Sequence, residues 1–314
     1  MKSITEGDIY ITPAGSASAG TASDGTASDG SDSTGSASTG TASAGSDSTG
    51  SASAGSASAG TATIRGNLKS FAGWLRRSRM LFLAKYLSIV FRTRKSAIMG
   101  EYDTEAWSDS SLEILKLLEN AGARFDISGL NSIRKARKPV VFIGNHMSTL
   151  ETMILPGLIA PVTDVTFVVK KSLVRHPLFG PVMRSRDPVA LDRENPREDF
   201  ARVMSEGSEI LKKGRSVVIF PQGTRNYDFN REEFNTLGVK LAARNDATVI
   251  PVALRTDFWK NGWLVKDLGP FDRSLKVYFR FGEPLKAKGR EREVQSEVVE
   301  FISDNLALWG VRVE

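Results

Sequence analysis

Residues 140–151 read Val140-Val141-Phe142-Ile143-Gly144-Asn145-His146-Met147-Ser148-Thr149-Leu150-Glu151. Four large apolar side chains, three of them β-branched, then a glycine, make 140–144 a buried strand rather than a half-exposed one. The polar run that follows is a loop, and 149–159 resumes an apolar pattern of helical length. A strand leading straight into a helix is the unit of an α/β sheet. The same alternation continues outward. Strands are expected at 165–169, 188–191, 216–220, 248–254 and 275–281. Helices are expected at 111–121, 197–213, 234–244 and 291–308, the first stopped by Gly122 and the second by Gly214. Strands alternating with helices argue one sheet with helices on its faces, filling residues 101–314.

The N-terminal part of the chain has a different composition. Of 314 residues, 14–63 contain only Gly, Ala, Ser, Thr and Asp, with a glycine at every fifth position from Gly15 to Gly60. Such a stretch has no apolar burial to offset its folding entropy, so residues 1–63 are expected to be a disordered linker-like tail. Ile9-Tyr10-Ile11 is the one alternating apolar patch within it and is too short to interpret. The tail carries Lys2 against Glu6, Asp8, Asp24, Asp29, Asp32 and Asp47, a net charge of −5. The chain total of +6 therefore leaves +11 on the remainder. A body that basic attracts nucleic acid, an anionic membrane surface or phosphorylated substrates.

Residues 64–100 concentrate this charge. They hold nine Lys or Arg and no carboxylate, interleaved with Leu68, Phe71, Trp74, Leu75, Met80, Phe82, Tyr86, Leu87 and Phe91. Cations and large apolar groups on one helical segment suit a helix lying in the headgroups of anionic lipid, or a basic surface helix packed on the domain. No motif for nucleic-acid recognition accompanies the charge. No run of about 18 apolar residues occurs, so a spanning helix is not expected, and no secretory leader is visible. The expected location is the cytosol or the cytoplasmic face of a membrane. The absence of cysteine excludes disulfides, thiolate metal sites and a Cys nucleophile, and two histidines, His146 and His176, leave little room for a metal centre.

Three segments carry candidate chemistry. In the first, His146 follows a buried strand and Glu151 follows five positions later. Across a tight turn a carboxylate can hold one imidazole tautomer and leave the other nitrogen as a base, although a lone histidine after a strand also serves structural roles. In the second, Phe220-Pro221-Gln222-Gly223-Thr224-Arg225 follows an apolar strand. Gly223 permits close backbone approach, Thr224 can donate to an anion and Arg225 can grip a phosphate, whereas the bland reading is a surface turn. The third, Val249-Ile250-Pro251-Val252-Ala253, is a core-like strand with an internal proline, for which an edge strand is the better reading.

Taken together, the order and spacing of these segments resemble the glycerolipid acyltransferase family of the 1-acylglycerol-3-phosphate (lysophosphatidic acid) acyltransferase type. Asn145, His146 and Glu151 match its first motif. Lys170-Lys171-Ser172-Leu173, Pro177, Gly180 and Leu191-Asp192-Arg193 look like its middle region. Phe220, Pro221, Gly223, Thr224 and Arg225 match its phosphate-binding motif, and 249–253 its last strand. The resemblance spans roughly 120–285. It implies a single mixed sheet flanked by helices. It also implies acyl transfer from an acyl thioester, acyl-CoA or acyl-ACP, to the hydroxyl of a lysophospholipid, with acyl carrier protein a further partner and with no bound cofactor or metal. His146 would be the base, Glu151 its orienting group, and Gly223, Thr224, Arg225, Lys170 and Lys171 the phosphate-binding set, supported by Asn145, Gln222 and Pro251. Two positions depart from the family pattern. Glu151 stands where Asp is usual. Gln222 stands where Glu is usual, which would ease competition for Arg225. The substrate, an amphiphile of the bilayer, would give residues 64–100 a reason to seat the protein peripherally on the membrane.

Overall fold

The structure, a computed structural model, describes residues 9–11, 78–260, 262 and 269–314. The pentad repeat and the part of the basic segment before residue 78 lie outside the described residues. In chain order the elements are β1 (Ile9–Ile11), α1 (Arg79–Ile98), α2 (Thr104–Asn120), β2 (Phe125–Ser128), α3 (Leu130–Lys135), β3 (Val140–Gly144), α4 (Leu150–Ile159), β4 (Val165–Lys170), α5 (Lys171–Arg175), α6 (Gly180–Arg184) and β5 (Val189–Leu191). There follow α7 (Pro196–Arg202), a π-helical turn (Val203–Gly207), α8 (Ser208–Lys212), β6 (Ser216–Ile219), α9 (Leu237–Arg244), β7 (Thr248–Arg255), β8 (Val277–Phe281), β9 (Leu285–Lys286) and α10 (Glu291–Leu308).

Among the described residues nine strands form one mixed sheet in the order β1-β2-β8-β7-β3-β6-β4-β5, with β9 also on β7, so Ile9–Ile11, expected within a disordered tail, is instead an edge strand paired with β2. Pairs β7-β3, β3-β6, β6-β4 and β4-β5 are parallel, and β8 runs antiparallel to β7. Every residue of β3 is buried, as expected for a central strand covered on both faces. Alternation sends Val140 and Phe142 into a core with α1, α2 and α4, and Val141 and Ile143 into a second core with α8, α9 and α10. On α10, Val294, Val298, Ile302 and Leu306 recur every fourth residue and are fully buried. Their transfer from water favours docking by about 6–12 kcal/mol, an upper figure for an extended unfolded chain.

Helix α2 begins seven residues earlier than the sequence expectation, where the Asp103 carboxylate accepts from the Ala106 amide at 2.8 Å. Both expected stops hold: Gly122 (φ +103) and Gly214 (φ +78) lie in the left-handed region that glycine tolerates best. The single helix expected at 197–213 is instead two helices joined by the π turn.

The edge-strand reading of β7 is corrected: β7 is central, flanked by β3 and by β8 and β9. Pro251 pairs with Ile143 of β3, and its carbonyl accepts from the Gly282 amide at 2.8 Å. The N and C=O of one strand residue face the same side, so the missing N–H points to the corner between β8 and β9. No ladder bond is required there. A Cβ on Gly282 would lie 2.6 Å from the Pro251 ring.

Helix α1 turns Phe82, Tyr86, Ile89, Val90 and Thr93 inward. Phe82 meets Trp259 and Phe271 edge-on, with centroids 5.3 and 4.8 Å apart, and Tyr86 meets Trp259 at 5.6 Å. The opposite face exposes Met80, Leu87, Phe91 and Ile98 beside Lys85, Arg92 and Lys95. No helix among the described residues is long and apolar enough to cross a membrane.

Candidate active site

Parallel strands end on the same side of a sheet, and the loops there form the usual binding crevice of an α/β fold. The carboxyl ends of β3, β6, β4 and β7 deliver Asn145-His146, the 220–226 loop, Lys170-Lys171 and Thr256 to that edge.

The His146 ring and the Glu151 carboxylate are hydrogen-bonded, with Nδ1 and Oε2 2.6 Å apart. Glu151 opens α4 and is 0% exposed, yet both its oxygens are satisfied. Oε1 accepts from the Met147 amide at 2.8 Å, the Ser148 amide at 2.9 Å and the Thr256 hydroxyl at 2.5 Å. A buried charge tolerates its loss of water only with such partners. Where the carboxylate is ionised it can only accept, so Nδ1 is the donor of this bond and Nε2 is the ring nitrogen left to accept. The ring stacks on Phe220 at 4.5 Å and 10°, and the His146 side chain remains 15% exposed. It is held in one plane but reachable.

The loop after β6 grips the His146 backbone from both directions. Gln222 Oε1 accepts from the His146 amide at 2.9 Å, and the Asn226 amide donates to the His146 carbonyl at 2.9 Å. Gln222 is therefore buried against His146 and uses its oxygen as an acceptor, a task a carboxylate would also perform. Asn145 extends β3 by one false ladder rung: its Nδ2 donates to the Leu254 carbonyl and its Oδ1 accepts from the Leu254 amide, each at 2.8 Å. Pro251 lies in the layer beneath, opposite Ile143.

Arg225 is half-buried and donates to the Thr149 hydroxyl at the start of α4. This brings the guanidinium to the same helix end as Glu151. Gly223 and Thr224 are exposed on that loop. A Cβ built at Gly223 meets nothing within 4 Å, so the protein's own packing makes no demand for glycine there. Lys170 is exposed at the end of β4. Lys171 is engaged elsewhere: its Nζ donates to Asp192 at 2.9 Å, which Arg202 also approaches at 3.3 Å. The Lys171 hydrogen bond holds the Asp192 carboxyl below its usual range. The structure thus brings together Asn145, His146, Glu151, Gln222 and Arg225, and ties Lys171 to a separate cluster. No group of three or more His, Asp or Glu among the described residues is placed to hold a metal.

Sequence reasoning missed Thr256 and gave Phe220 and Thr149 no role. The signal for Thr256 was a threonine just past a core strand, at the edge where His146 follows β3. Ser148 is buried. It accepts from the Leu150 amide at 3.1 Å and donates toward Thr256 Oγ1 at 3.0 Å.

The acyltransferase family model matches residues 124–255, the segment that supplies every one of these contacts except that of Thr256. Over those residues the chain is similar to the acyltransferase family. Among curated relatives of the chain is the 1-acyl-sn-glycerol-3-phosphate acyltransferase of Pseudomonas aeruginosa. It is 36% identical over 145 residues, which are 46% of this chain and 54% of the relative. The enzyme of that name from Saccharomyces cerevisiae is 27% identical over 184 residues, 58% of each chain. The chain thus spans little more than half the length of these two relatives. Among solved structures, the 1-acyl-sn-glycerophosphate acyltransferase PlsC from Thermotoga maritima matches with a TM-score of 0.54 and 21% identity. The match covers 77% of this chain and 98% of that one, and it shows the fold.

Proposed function

We propose that the protein transfers a fatty acyl group from an acyl thioester to the free hydroxyl of 1-acylglycerol-3-phosphate, giving phosphatidic acid. The observation that carries this reading is the 2.6 Å contact between His146 Nδ1 and a fully buried Glu151, at the same edge as Arg225. A lipid hydroxyl has too high a pKa to attack a thioester unaided. His146 Nε2 takes its proton as the oxygen attacks the thioester carbon. Glu151 stabilises the imidazolium so formed. The tetrahedral intermediate collapses with cleavage of the C–S bond, and the thiolate leaves, taking a proton from the imidazolium. Arg225, with Gly223, Thr224 and Lys170, holds the acceptor phosphate so that the hydroxyl meets both base and thioester. The donor is acyl-CoA or acyl-ACP, and no bound cofactor takes part.

The outer face of α1 supports a peripheral site of action. Met80, Leu87, Phe91 and Ile98 form an exposed apolar stripe beside cations, a pattern suited to the anionic cytoplasmic leaflet. The lipid acceptor resides there.

The deciding experiment follows thiol release with a disulfide dye, using acyl-CoA and lysophosphatidic acid. The chain has no cysteine, so the protein contributes no background. Acceptor-dependent release that disappears in His146→Ala is the expected result. Release that persists in His146→Ala would overturn the assigned base. Release only with other lysolipids would overturn the acceptor and keep the chemistry.

A further inference from the structure

We infer that Thr256 is a positioning residue for the His146–Glu151 pair, an assignment that rests on the reading of His146 as the base. Its hydroxyl lies 2.5 Å from Glu151 Oε1, and the residue is fully buried. It sits just past β7, while Glu151 sits on α4, 105 positions away. The other two donors to that oxygen, the Met147 and Ser148 amides, come from Glu151's own loop and move with it. Thr256 is therefore the contact that references the carboxylate to a different strand of the sheet.

The direction of its hydrogen bond is fixed. The carboxylate accepts only, so the Thr256 proton points to Oε1, and Oγ1 is left to accept from Ser148 Oγ at 3.0 Å. Ser148 Oγ in turn accepts from the Leu150 amide. Ser148 Oγ also lies 3.2 Å from the Thr256 carbonyl, so the serine braces Thr256 through its backbone or its hydroxyl, and the Thr256 proton on Oε1 leaves Oε2 facing the imidazole. A glutamate side chain has one more rotatable bond than an aspartate, so its plane is less determined by its backbone. A third donor on Oε1 removes that extra freedom. In this chain, Thr256 is what allows a glutamate to hold His146 in one tautomer.

Thr256→Val keeps the shape and deletes the hydroxyl, and Thr256→Ser keeps the hydroxyl and deletes the methyl. Two readouts separate positioning from bulk stability. One is the split between kcat and KM in the thiol-release assay. The other is the nitrogen-15 shift pattern of the His146 ring, which reports the tautomer without substrate. With only two histidines, a His176→Asn background assigns it. The expected result for Thr256→Val is a kcat lower by roughly 10- to 100-fold, KM nearly unchanged, and a ring whose Nδ1-protonated signature is mixed with the other tautomer. Thr256→Ser is expected to restore both. A valine variant with wild-type kcat and tautomer overturns the assignment, and so does a kcat loss with an unchanged tautomer that serine fails to repair. If the valine variant does not fold, the wild type decides. A Thr256 hydroxyl proton seen in slow exchange with water supports the inference, and its rapid exchange overturns it. Should wild-type protein transfer no acyl group, the proposed function falls, while the ring shifts still decide whether Thr256 sets the tautomer.

Discussion

Replacing Glu151 by glutamine tests the acid–base assignment most sharply. The substitution preserves shape and removes the charge. Three donors converge on Oε1, the Met147 and Ser148 amides and the Thr256 hydroxyl. They dictate that the amide oxygen of Gln occupies that position. The NH₂ group must then take the place of Oε2, 2.6 Å from His146 Nδ1. Two donors cannot face each other, so Nδ1 gives up its proton and Nε2 acquires it. The nitrogen that should accept the lipid hydroxyl proton is then already protonated. In a serine protease triad the equivalent carboxylate-to-amide change leaves the geometry intact and lowers kcat about 10⁴-fold through the same wrong tautomer. A similar loss, about 5.5 kcal/mol of transition-state stabilisation, is expected here. Steady-state thiol release should show it in kcat, and the ring nitrogen shifts of His146 should show inversion of the tautomer. An Glu151→Gln enzyme within tenfold of wild type, or one whose His146 keeps its proton on Nδ1, would refute the reasoning.

Three further outcomes follow from the same geometry. Asn145→Ala strips partners from the buried amide and carbonyl of Leu254. At about 1–3 kcal/mol for each group left unsatisfied, the loss in urea unfolding should be about 2–6 kcal/mol, and a change below 0.5 kcal/mol, about the scatter of surface substitutions, would contradict the false-rung description. Arg225→Lys keeps the charge but loses the planar fork, so KM for lysophosphatidic acid should rise about tenfold with kcat within about threefold; a fall in kcat alone would place Arg225 elsewhere in the mechanism. Leu87→Glu with Phe91→Glu should weaken sedimentation with anionic vesicles by at least roughly 100-fold, since two exposed apolar anchors are lost, while Tm stays put; unchanged partitioning would remove α1 as the contact surface.

The parts of the fold legible in the sequence are those whose burial is two-sided or strictly periodic. β3 announced itself as a continuous apolar run, and α10 as an aliphatic residue every fourth position. β2 did not, because Phe125-Asp126-Ile127-Ser128 is half-exposed on alternate residues and holds an ion-paired aspartate. The π turn inside the α7–α8 stretch adds a residue to one turn without breaking the hydrophobic pattern, so periodicity could not reveal it. Pro251 misled for a specific reason. A missing N–H is tolerated inside a sheet when it faces a corner between two partner strands, and that corner is a property of β8 and β9, not of β7.

The candidate site was legible as far as spacing alone could carry it. The interval from His146 to Glu151 contained the pair. Side-chain partners drawn from distant segments were not legible. Lys171 looked available until Asp192, 21 residues on, was seen to hold it. Gln222, three positions before Arg225 in the sequence, also holds the His146 amide through its side-chain oxygen, a contact no spacing revealed.

The false rung between Asn145 and Leu254 joins positions 109 apart, the Thr256 contact spans 105, and the Gln222 contact spans 76. Loop-closure entropy opposes each of these until β3, β6 and β7 are already side by side. The supports around the His146–Glu151 pair are therefore late products of folding. A chain released with its sheet half-built exposes sticky strand surface but lacks the supports that hold the His146 ring in place, so the proposed site is complete only on a finished molecule.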